Sequence, residues 1–120
     1  LASGMLYGDD PGGQLGNTLL AVGDMNGNGT EDVFIVEPFG GLNGAGFLWL
    51  VDGNDLGSNS EISDVAIYAW IPGTASESPN GNSAATGHDI DGDGKNDLVL
   101  GSFGWGSGAG RAEIILTSEL

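Results

Sequence analysis

The feature that most limits the fold of this chain is an internal repeat. The segment GNTLLAVGDMNGNGTEDVFIV at 16–36 aligns with GNSAATGHDIDGDGKNDLVLG at 81–101, an offset of about 65 residues. After a slip of one residue, GAGFLWLV at 44–51 aligns with GAGRAEII at 108–115. Self-similarity at a fixed period is typical of architectures in which each copy forms one supersecondary unit. The sequence therefore predicts a chain made of two copies of one unit.

Each copy is predicted to be a set of short strands. Apolar runs of five to seven residues are bounded by glycine and other turn residues, and no 3.6-residue apolar period extends over a dozen positions. The expected strands are 17–23, 33–37, 46–51 and 65–71 in one set, and 82–88, 97–101 and 110–116 in the other. Four-stranded sheets at this spacing indicate propeller blades. The predicted fold is all-β: two blades of four antiparallel strands and no significant helix.

The order of the strands is predicted to be offset, that is, circularly permuted. Residues 1–7 align with the fourth strand of the unit but precede its first strand, and the last blade lacks an outer strand. We place the first repeat at 1–62, with an acidic loop at 24–32, and the second at 63–120, with an acidic loop at 89–97. The spare strand predicts pairing with other copies of the chain or with the rest of a longer propeller. A fragment, a closed ring of three copies and an open filament all remain possible.

The charge balance excludes several classes of partner. The chain has 17 acidic and two basic residues, a formal net charge of −15. A polyanion such as DNA, RNA or an anionic membrane would be repelled by this charge. No apolar run approaches the 18 residues that a membrane-spanning helix needs, so we expect no membrane insertion. The absence of cysteine means that disulfides cannot stabilise the fold.

Both copies carry one longer pattern. It is GDMNGNGTEDVFIVEPFGG followed by GAGFLWLV in the first copy, and HDIDGDGKNDLVLGSFG followed by GAGRAEIIL in the second. This pattern resembles the FG-GAP repeat of integrin alpha-chain propellers and related bacterial proteins, and the resemblance covers nearly all of the chain. It implies a β-propeller, calcium bound in the acidic loops, and protein ligands on one face of the propeller, with carbohydrate ligands in some relatives. The second copy departs from the pattern at His88, where glycine is expected.

The acidic loops have the residue types of a calcium site. Calcium takes six to eight oxygen ligands, and glycines between the acidic residues let the backbone curl around an ion. The expected ligands of the first loop are Asp24, Asn26, Asn28 and Asp32 with the Thr30 carbonyl. Those of the second are Asp89, Asp91, Asp93 and Asp97 with the Lys95 carbonyl. These positions bind calcium in the family that the chain resembles. We expect two ions per chain, with tighter binding in the second loop because it has four carboxylates against two.

Two other kinds of structure share parts of the loop pattern: a helix-flanked calcium loop and a metal-free acidic turn. EF-hands and dockerins share the start of the pattern, but they need an acidic residue at loop position 12, where this chain has Ile35 and Leu100. They also need flanking helices, whereas an apolar strand follows each loop here. The other interpretation is a pair of solvated acidic turns without metal, since Asp, Asn and Gly favour turns on their own.

No catalytic constellation is recognisable. The single histidine, His88, is better explained as a packing or loop residue than as a base, and there is no cysteine nucleophile. Trp105 lies in a glycine-rich turn, SFGWGSGAG, where it can stack on a sugar ring; contact with a neighbouring blade is the favoured alternative. Trp49 and Trp70 lie in apolar strands and are predicted to be core residues.

The resulting hypothesis is a non-catalytic, extracellular or cell-surface, calcium-binding propeller module for adhesion or protein interaction. The extracellular location follows from the family resemblance and from the millimolar calcium outside cells, which suits weak sites. One alternative is a self-assembling structural subunit of an extracellular ring or filament, joined by strand exchange. Another is a lectin-like propeller or an accessory domain of a secreted enzyme.

Overall fold

Nine β-strands are the main regular structure in the described part of the chain. The computed structural model describes residues 2–41, 44–70 and 81–120. Its strands are β1 Leu6–Tyr7, β2 Thr18–Gly23, β3 Asp32–Glu37, β4 Phe47–Val51, β5 Ser60–Glu61, β6 Ala66–Trp70, β7 Gly81–His88, β8 Asp97–Ser102 and β9 Arg111–Ile115. Helical structure in the described ranges is short: α1 Ile62–Val65, α2 Trp105–Gly108, and the 3-10 turns Gly53–Asp55 and Thr117–Glu119. The prediction of an all-β chain without significant helix is confirmed.

The first sheet has the four antiparallel strands expected of a blade. Its order is β2-β3-β4-β6, and each strand begins and ends within a residue or so of the predicted range. Residue 71, the last of the predicted fourth strand, lies outside the described residues. The fourth strand, Ala66–Trp70, comes from beyond residue 62, so the sheet and the sequence repeat are offset from each other. The repeat boundaries at 1–62 and 63–120 stay a prediction.

The second sheet has three antiparallel strands in the order β7-β8-β9. Within the described residues no strand pairs with the outer edge of β9, as expected for a blade that lacks its outer strand. The start of the chain differs from the expectation. Among the described residues 2–7, Leu6–Tyr7 forms a strand, and it pairs in parallel with Ser60–Glu61 rather than antiparallel as a fourth blade strand. The reason is packing, because Leu6 and the fully buried Ile62 cover the same face of the first sheet.

The main core lies between the two sheets. It contains seven buried apolar residues: Val22, Phe34, Val36, Leu48, Leu50, Leu98 and Leu100. The opposite face of the first sheet is also buried, with Ile35, Trp49 and Val51 packed against Ile62. Strands covered on both faces read as continuous apolar runs, which explains the lack of alternation in VFIV and FLWLV. Trp49 is 7% exposed, so its prediction as a core residue is confirmed; the side chain of Trp70 lies outside the described part of the chain.

The fold places the two acidic loops in equivalent positions. The first connects β2 to β3, and the second connects β7 to β8. The β2 and β7 strands are neighbours across the interface between the sheets. Among the described residues, no helix has the length and apolar character required to cross a membrane.

Candidate metal centre

The first aspartate of each loop closes the turn through backbone hydrogen bonds. The Asp24 carboxylate accepts three loop N–H groups at 2.7, 3.0 and 2.7 Å, those of Gly27, Asn28 and Gly29. The Asp89 carboxylate accepts three at 2.6, 3.0 and 2.8 Å, those of Gly92, Asp93 and Gly94. The intervening glycines have positive φ, for example 80° at Gly27 and 84° at Gly92, which side chains with a Cβ rarely adopt. The two loops therefore share one geometry.

The middle residues of the two loops also make matching hydrogen bonds. In the first loop the Asn26 Oδ1 accepts from the Asn28 N–H at 3.0 Å, and the Asn28 Oδ1 accepts from the Thr30 N–H at 2.8 Å. The second loop makes the same two bonds with carboxylate oxygens, at 3.1 and 2.7 Å. Amide oxygens thus occupy in the first loop the places that carboxylate oxygens occupy in the second. Both kinds of oxygen are ligands that calcium accepts.

The last aspartate of each loop is buried at the start of a strand. Asp32 is 0% exposed and Asp97 is 1% exposed. One oxygen of each accepts a backbone N–H near the start of its loop, Met25 at 2.8 Å for Asp32 and Ile90 at 2.7 Å for Asp97. The other oxygens differ. The Asp97 Oδ1 accepts from the Thr117 N–H at 2.9 Å, whereas the Asp32 Oδ1 is buried without a hydrogen-bond partner.

The unpartnered Asp32 oxygen is the observation that fits a cation in the first loop. A buried carboxylate oxygen that accepts no hydrogen bond has lost its hydration without replacement, at a cost of about 1–3 kcal/mol or more for a charged group. A bound cation would supply the missing interaction. The residues of this loop therefore fit the metal that the family resemblance implies.

The second loop brings three carboxylates together. Ligand oxygens of Asp89, Asp91 and Asp97 lie within 4.8 Å of one another, and this is the one such acidic or histidine group in the described ranges. Oxygens that share one calcium ion at about 2.3–2.6 Å can lie this far apart. Asp93 lies outside the group, and its Oδ1 accepts from the Lys95 N–H. The acidic cluster is therefore able to hold a metal ion.

Hydrogen bonding keeps the buried Asp97 ionised. The Thr117 N–H first, and then the N–H groups of Ile90 and Asp91, hold the pKa of Asp97 below its ordinary value, against the opposing effect of desolvation. Its contribution to stability is therefore present above the pKa of the unfolded chain and is lost as pH falls through the lowered folded pKa. At neutral pH a cation would not have to displace a proton from this carboxylate.

The loops also contact each other. The Lys95 ammonium donates to the Met25 carbonyl of the first loop at 3.3 Å. This bond joins the two sheets at the edge where both loops lie. The predicted roles of the Thr30 and Lys95 carbonyls as ligands stay predictions.

Sequence reasoning missed the residues that support the loops from a distance. Asp52 and Asn54 lie just after β4. The Asp52 carboxylate accepts from the Asn26 side-chain amide, and the Asn54 side-chain amide donates to the Thr30 hydroxyl. Thr117 and Ser118, just after β9, contact the second, and the Ser118 Oγ donates to the Asp91 Oδ2 at 2.7 Å. The sequence repeat could have indicated these residues, because β4 and β9 are equivalent strands of the two copies and each supporting segment directly follows one of them.

Trp105 and His88 occupy different surroundings. The Trp105 side chain is half-buried, and the Arg111 guanidinium lies 5.4 Å from its ring centroid, so one ring face is engaged by a cation–π contact. Its role in sugar stacking stays a prediction. His88 is exposed at the end of β7, opposite Asp97 in the register.

These observations define a class of protein. Antiparallel blade-like sheets, stacked face to face and carrying acidic loops of one repeated geometry, are the properties of a propeller-type repeat protein.

Comparison with known proteins agrees with this class. The family model described as FG-GAP repeat matches residues 80–114. The chain is 34% identical to integrin alpha-5 of Xenopus laevis over 102 residues, which is 83% of the chain and 9% of that protein. It is 34% identical to integrin alpha pat-2 of Caenorhabditis briggsae over 96% of the chain, and 32% identical to human integrin alpha-8 over 96%. The chain belongs to the FG-GAP, integrin alpha-like repeat family, and it spans about a tenth of the length of these relatives, 9% to 11%.

Proposed function

We propose that this chain is a non-catalytic, extracellular calcium-binding module of a β-propeller that serves adhesion or protein interaction. The observation that carries the proposal is the pair of like-built acidic loops, one with three converging carboxylates and one with a buried, unpartnered Asp32 oxygen. The sequence relation to integrin alpha chains supports the cell-surface setting.

Calcium would act in this chain by making the loops rigid. When bound, the ion supplies the positive charge that lets carboxylates lie close together in a chain with a net charge of −15. The residues of the chain do the rest. Asp24 and Asp89 hold the turns, and the buried Asp32 and Asp97 fix the loop ends to β3 and β8.

The partner that covers the exposed apolar surfaces of this chain is proposed to be another propeller blade. Large apolar side chains are exposed on the open parts of the two sheets, among them Leu19 at 61% and Ile114 at 59%. The groove beside β2 is apolar as well, with Met5, Leu6 and Leu15 in its lining. Exposed apolar patches of this kind mark protein contacts. The rest of a longer propeller would cover both faces.

Calorimetric titration of the chain with calcium tests the proposal. We expect two sites, with the tighter one in the second loop. The double substitution Asp91→Asn with Asp93→Asn should remove most of the tighter binding, because it gives the second loop the two asparagines of the first. Asp64→Asn on the exposed surface of α1 is the matched control and should leave both sites unchanged. The absence of calcium binding in the wild-type chain would refute the proposal.

Self-assembly is the second candidate, favoured by the unpaired edge of β9 in the described sheet. An exposed edge can pair with a strand from another copy. Sedimentation in calcium separates the two candidates. A closed trimer or a large polymer supports self-assembly, whereas a monomer supports a module whose neighbouring blades belong to the same longer chain.

A further inference from the structure

We propose that Asp52 is a positioning residue for the first loop, fixing the amide groups of Asn26 and Asn28 so that their oxygens face a cation. This inference rests on the proposed calcium function. It adds a residue that lies 20 positions beyond Asp32, the last residue of the loop, on a different strand connection.

The hydrogen bonds of Asp52 define its role. Its Oδ2 accepts from the Asn26 Nδ2 at 2.7 Å and also from the Asn28 Nδ2. Its Oδ1 accepts from the Asn54 N–H and side-chain amide at 2.8 and 2.9 Å. Because the NH₂ groups of both loop asparagines are engaged by Asp52, their oxygens stay on the loop side, where each also accepts one backbone N–H. An amide turned the other way would present its NH₂ group there, which is a donor and cannot bind a cation.

At the second loop the equivalent contact comes from a hydroxyl rather than a carboxylate, because the Ser118 Oγ donates to the Asp91 Oδ2. The alignment of 44–51 with 108–115 places Leu116 at the corresponding position. The middle residues of the second loop are Asp91 and Asp93, whose two carboxylate oxygens are equivalent, so either orientation of the side chain presents an oxygen. Asp52 therefore compensates in the first loop for asparagine in place of aspartate. Outer partners that orient metal ligands typically change affinity by about 10–100-fold.

Substitution of Asp52 tests this role in the full chain. We expect Asp52→Ala to weaken calcium binding at the first loop by about tenfold or more and to leave the second loop unchanged. Asp52→Asn, which keeps one acceptor oxygen, should weaken binding less. NMR signals of the Asn26 and Asn28 side-chain amides should lose their protection in Asp52→Ala, a change that a purely structural role elsewhere would not produce. Asp64→Ala is the matched surface control.

The outcomes separate this inference from the proposed function. If the wild-type first loop binds no calcium, the proposed function fails for that loop. If it binds calcium and Asp52→Ala binds equally well, the positioning role alone is overturned. Unchanged binding at the second loop shows that the variant is folded, and its loss would overturn the claim that Asp52 acts on the first loop only.

A second, independent observation concerns Glu37, the last residue of β3. Its side chain is 1% exposed. One carboxyl oxygen, Oε2, accepts from the Trp49 Nε1 at 2.9 Å, and the other, Oε1, is buried without a hydrogen-bond partner. Residues 8–16, which we call the overlying segment, cover this carboxyl. A Cβ at Gly13 of that segment would lie 2.1 Å from Oε1. The segment and the carboxyl are therefore in direct contact, and a side chain at residue 13 would require the Glu37 carboxyl to move.

The charges around Glu37 favour its neutral form. Burial first, and then the Asp10 and Asp9 carboxylates of the overlying segment, raise the pKa of Glu37, while the Trp49 bond opposes the rise. Asp9 and Asp10 are the charged groups that face it from that segment, β4 contributes the neutral Trp49, and the turn after β3 contributes Gly40. An ionised Glu37 would add a third negative charge beside Asp9 and Asp10, with one hydrogen bond to offset it.

We propose that Glu37 is a pH-sensitive latch, whose neutral carboxyl lets the overlying segment close on the first sheet and whose ionisation loosens that segment. The segment is attached by two backbone bonds, Gly16 N–H to the Val36 carbonyl and Phe39 N–H to the Gly13 carbonyl, each 3.1 Å long. The pKa of Glu37 in the folded chain is raised above 4.5. The stability that the neutral carboxyl gives to the closed segment is therefore fully present below that value, and it is lost as pH rises through the folded pKa. Loosening would uncover Leu15 and the apolar face that it covers.

Amide hydrogen exchange across a pH series tests the latch. We expect the protection factors of Gly16 and Phe39, corrected for intrinsic exchange, to fall as pH rises from acid to neutral in the wild-type chain. Glu37→Gln, which stays neutral and keeps an acceptor for Trp49, should hold these protection factors constant. Glu61→Gln, an exposed glutamate, is the matched control and should behave as wild type.

A direct titration keeps the latch testable if Glu37→Gln does not fold. The carboxyl carbon of Glu37 in the isotope-labelled wild-type chain should titrate above the ordinary range of a glutamate carboxyl. An ordinary titration of Glu37, or protection that is independent of pH in the wild-type chain, would overturn the proposal.

Discussion

Replacing Phe34 with alanine is expected to remove about 3–5 kcal/mol from the free energy of unfolding, the usual range for a large aromatic side chain in a core. Phe34 is 0% exposed and belongs to the buried apolar cluster between the two sheets. Its ring contributes to the interface that joins the blades, and the rigid strands on both sides limit collapse into the cavity. Because domains of this kind are stable by about 5–15 kcal/mol, this single change should shift the urea midpoint strongly or prevent folding.

The chain contains a matched control for this substitution. Phe103 is 66% exposed, so Phe103→Ala removes the same atoms without opening a cavity. We expect its effect on the unfolding free energy to stay within about 0.5 kcal/mol. Equal urea midpoints for the two variants would show that the packing between the sheets does not determine stability.

The strands and the ends of the loops could be predicted from the sequence because their signals are local. The runs that became β3 and β8 are apolar, short and preceded by glycine-rich loops, and Asp32 and Asp97 mark the step from charge to strand. Repetition strengthened each signal, since a pattern seen twice at one spacing is unlikely to arise from two unrelated turns. The structure shows the same repetition in its hydrogen bonds, because Asp24 and Asp89 each accept the N–H of the residue three positions further along.

The remaining features depend on contacts between distant parts of the chain. Nothing local in LASGMLYG favours a parallel pairing with Ser60–Glu61; it follows from the burial of Leu6 against a cluster that other strands build. Asp52 supports a loop that lies 24 and 26 residues away, at Asn28 and Asn26. A glutamate at the end of a strand normally suggests exposure, and only the covering segment reveals that Glu37 is buried.

Calcium is expected to raise the stability of the chain in two increments, one for each loop. Substitution of the last aspartate of one loop should remove the increment of that loop alone. At about 100 times its dissociation constant, a ligand that binds only the folded state stabilises it by about 2.7 kcal/mol per site. For a domain of this size, that is a shift of several degrees in the thermal midpoint. A chelator should reverse the shift.

Asp97→Ala is expected to abolish the increment of the second loop. The substitution removes one of the three converging carboxylates and the acceptor that holds Ile90 and Thr117. Asp32→Ala should abolish the increment of the first loop, and the double variant should melt at the same temperature with calcium or chelator. Asp64→Ala should respond to calcium as wild type does. If the double variant still gains stability from calcium, the ions bind elsewhere than in the acidic loops, and the repeated geometry of these loops would then belong to turns that fold without metal.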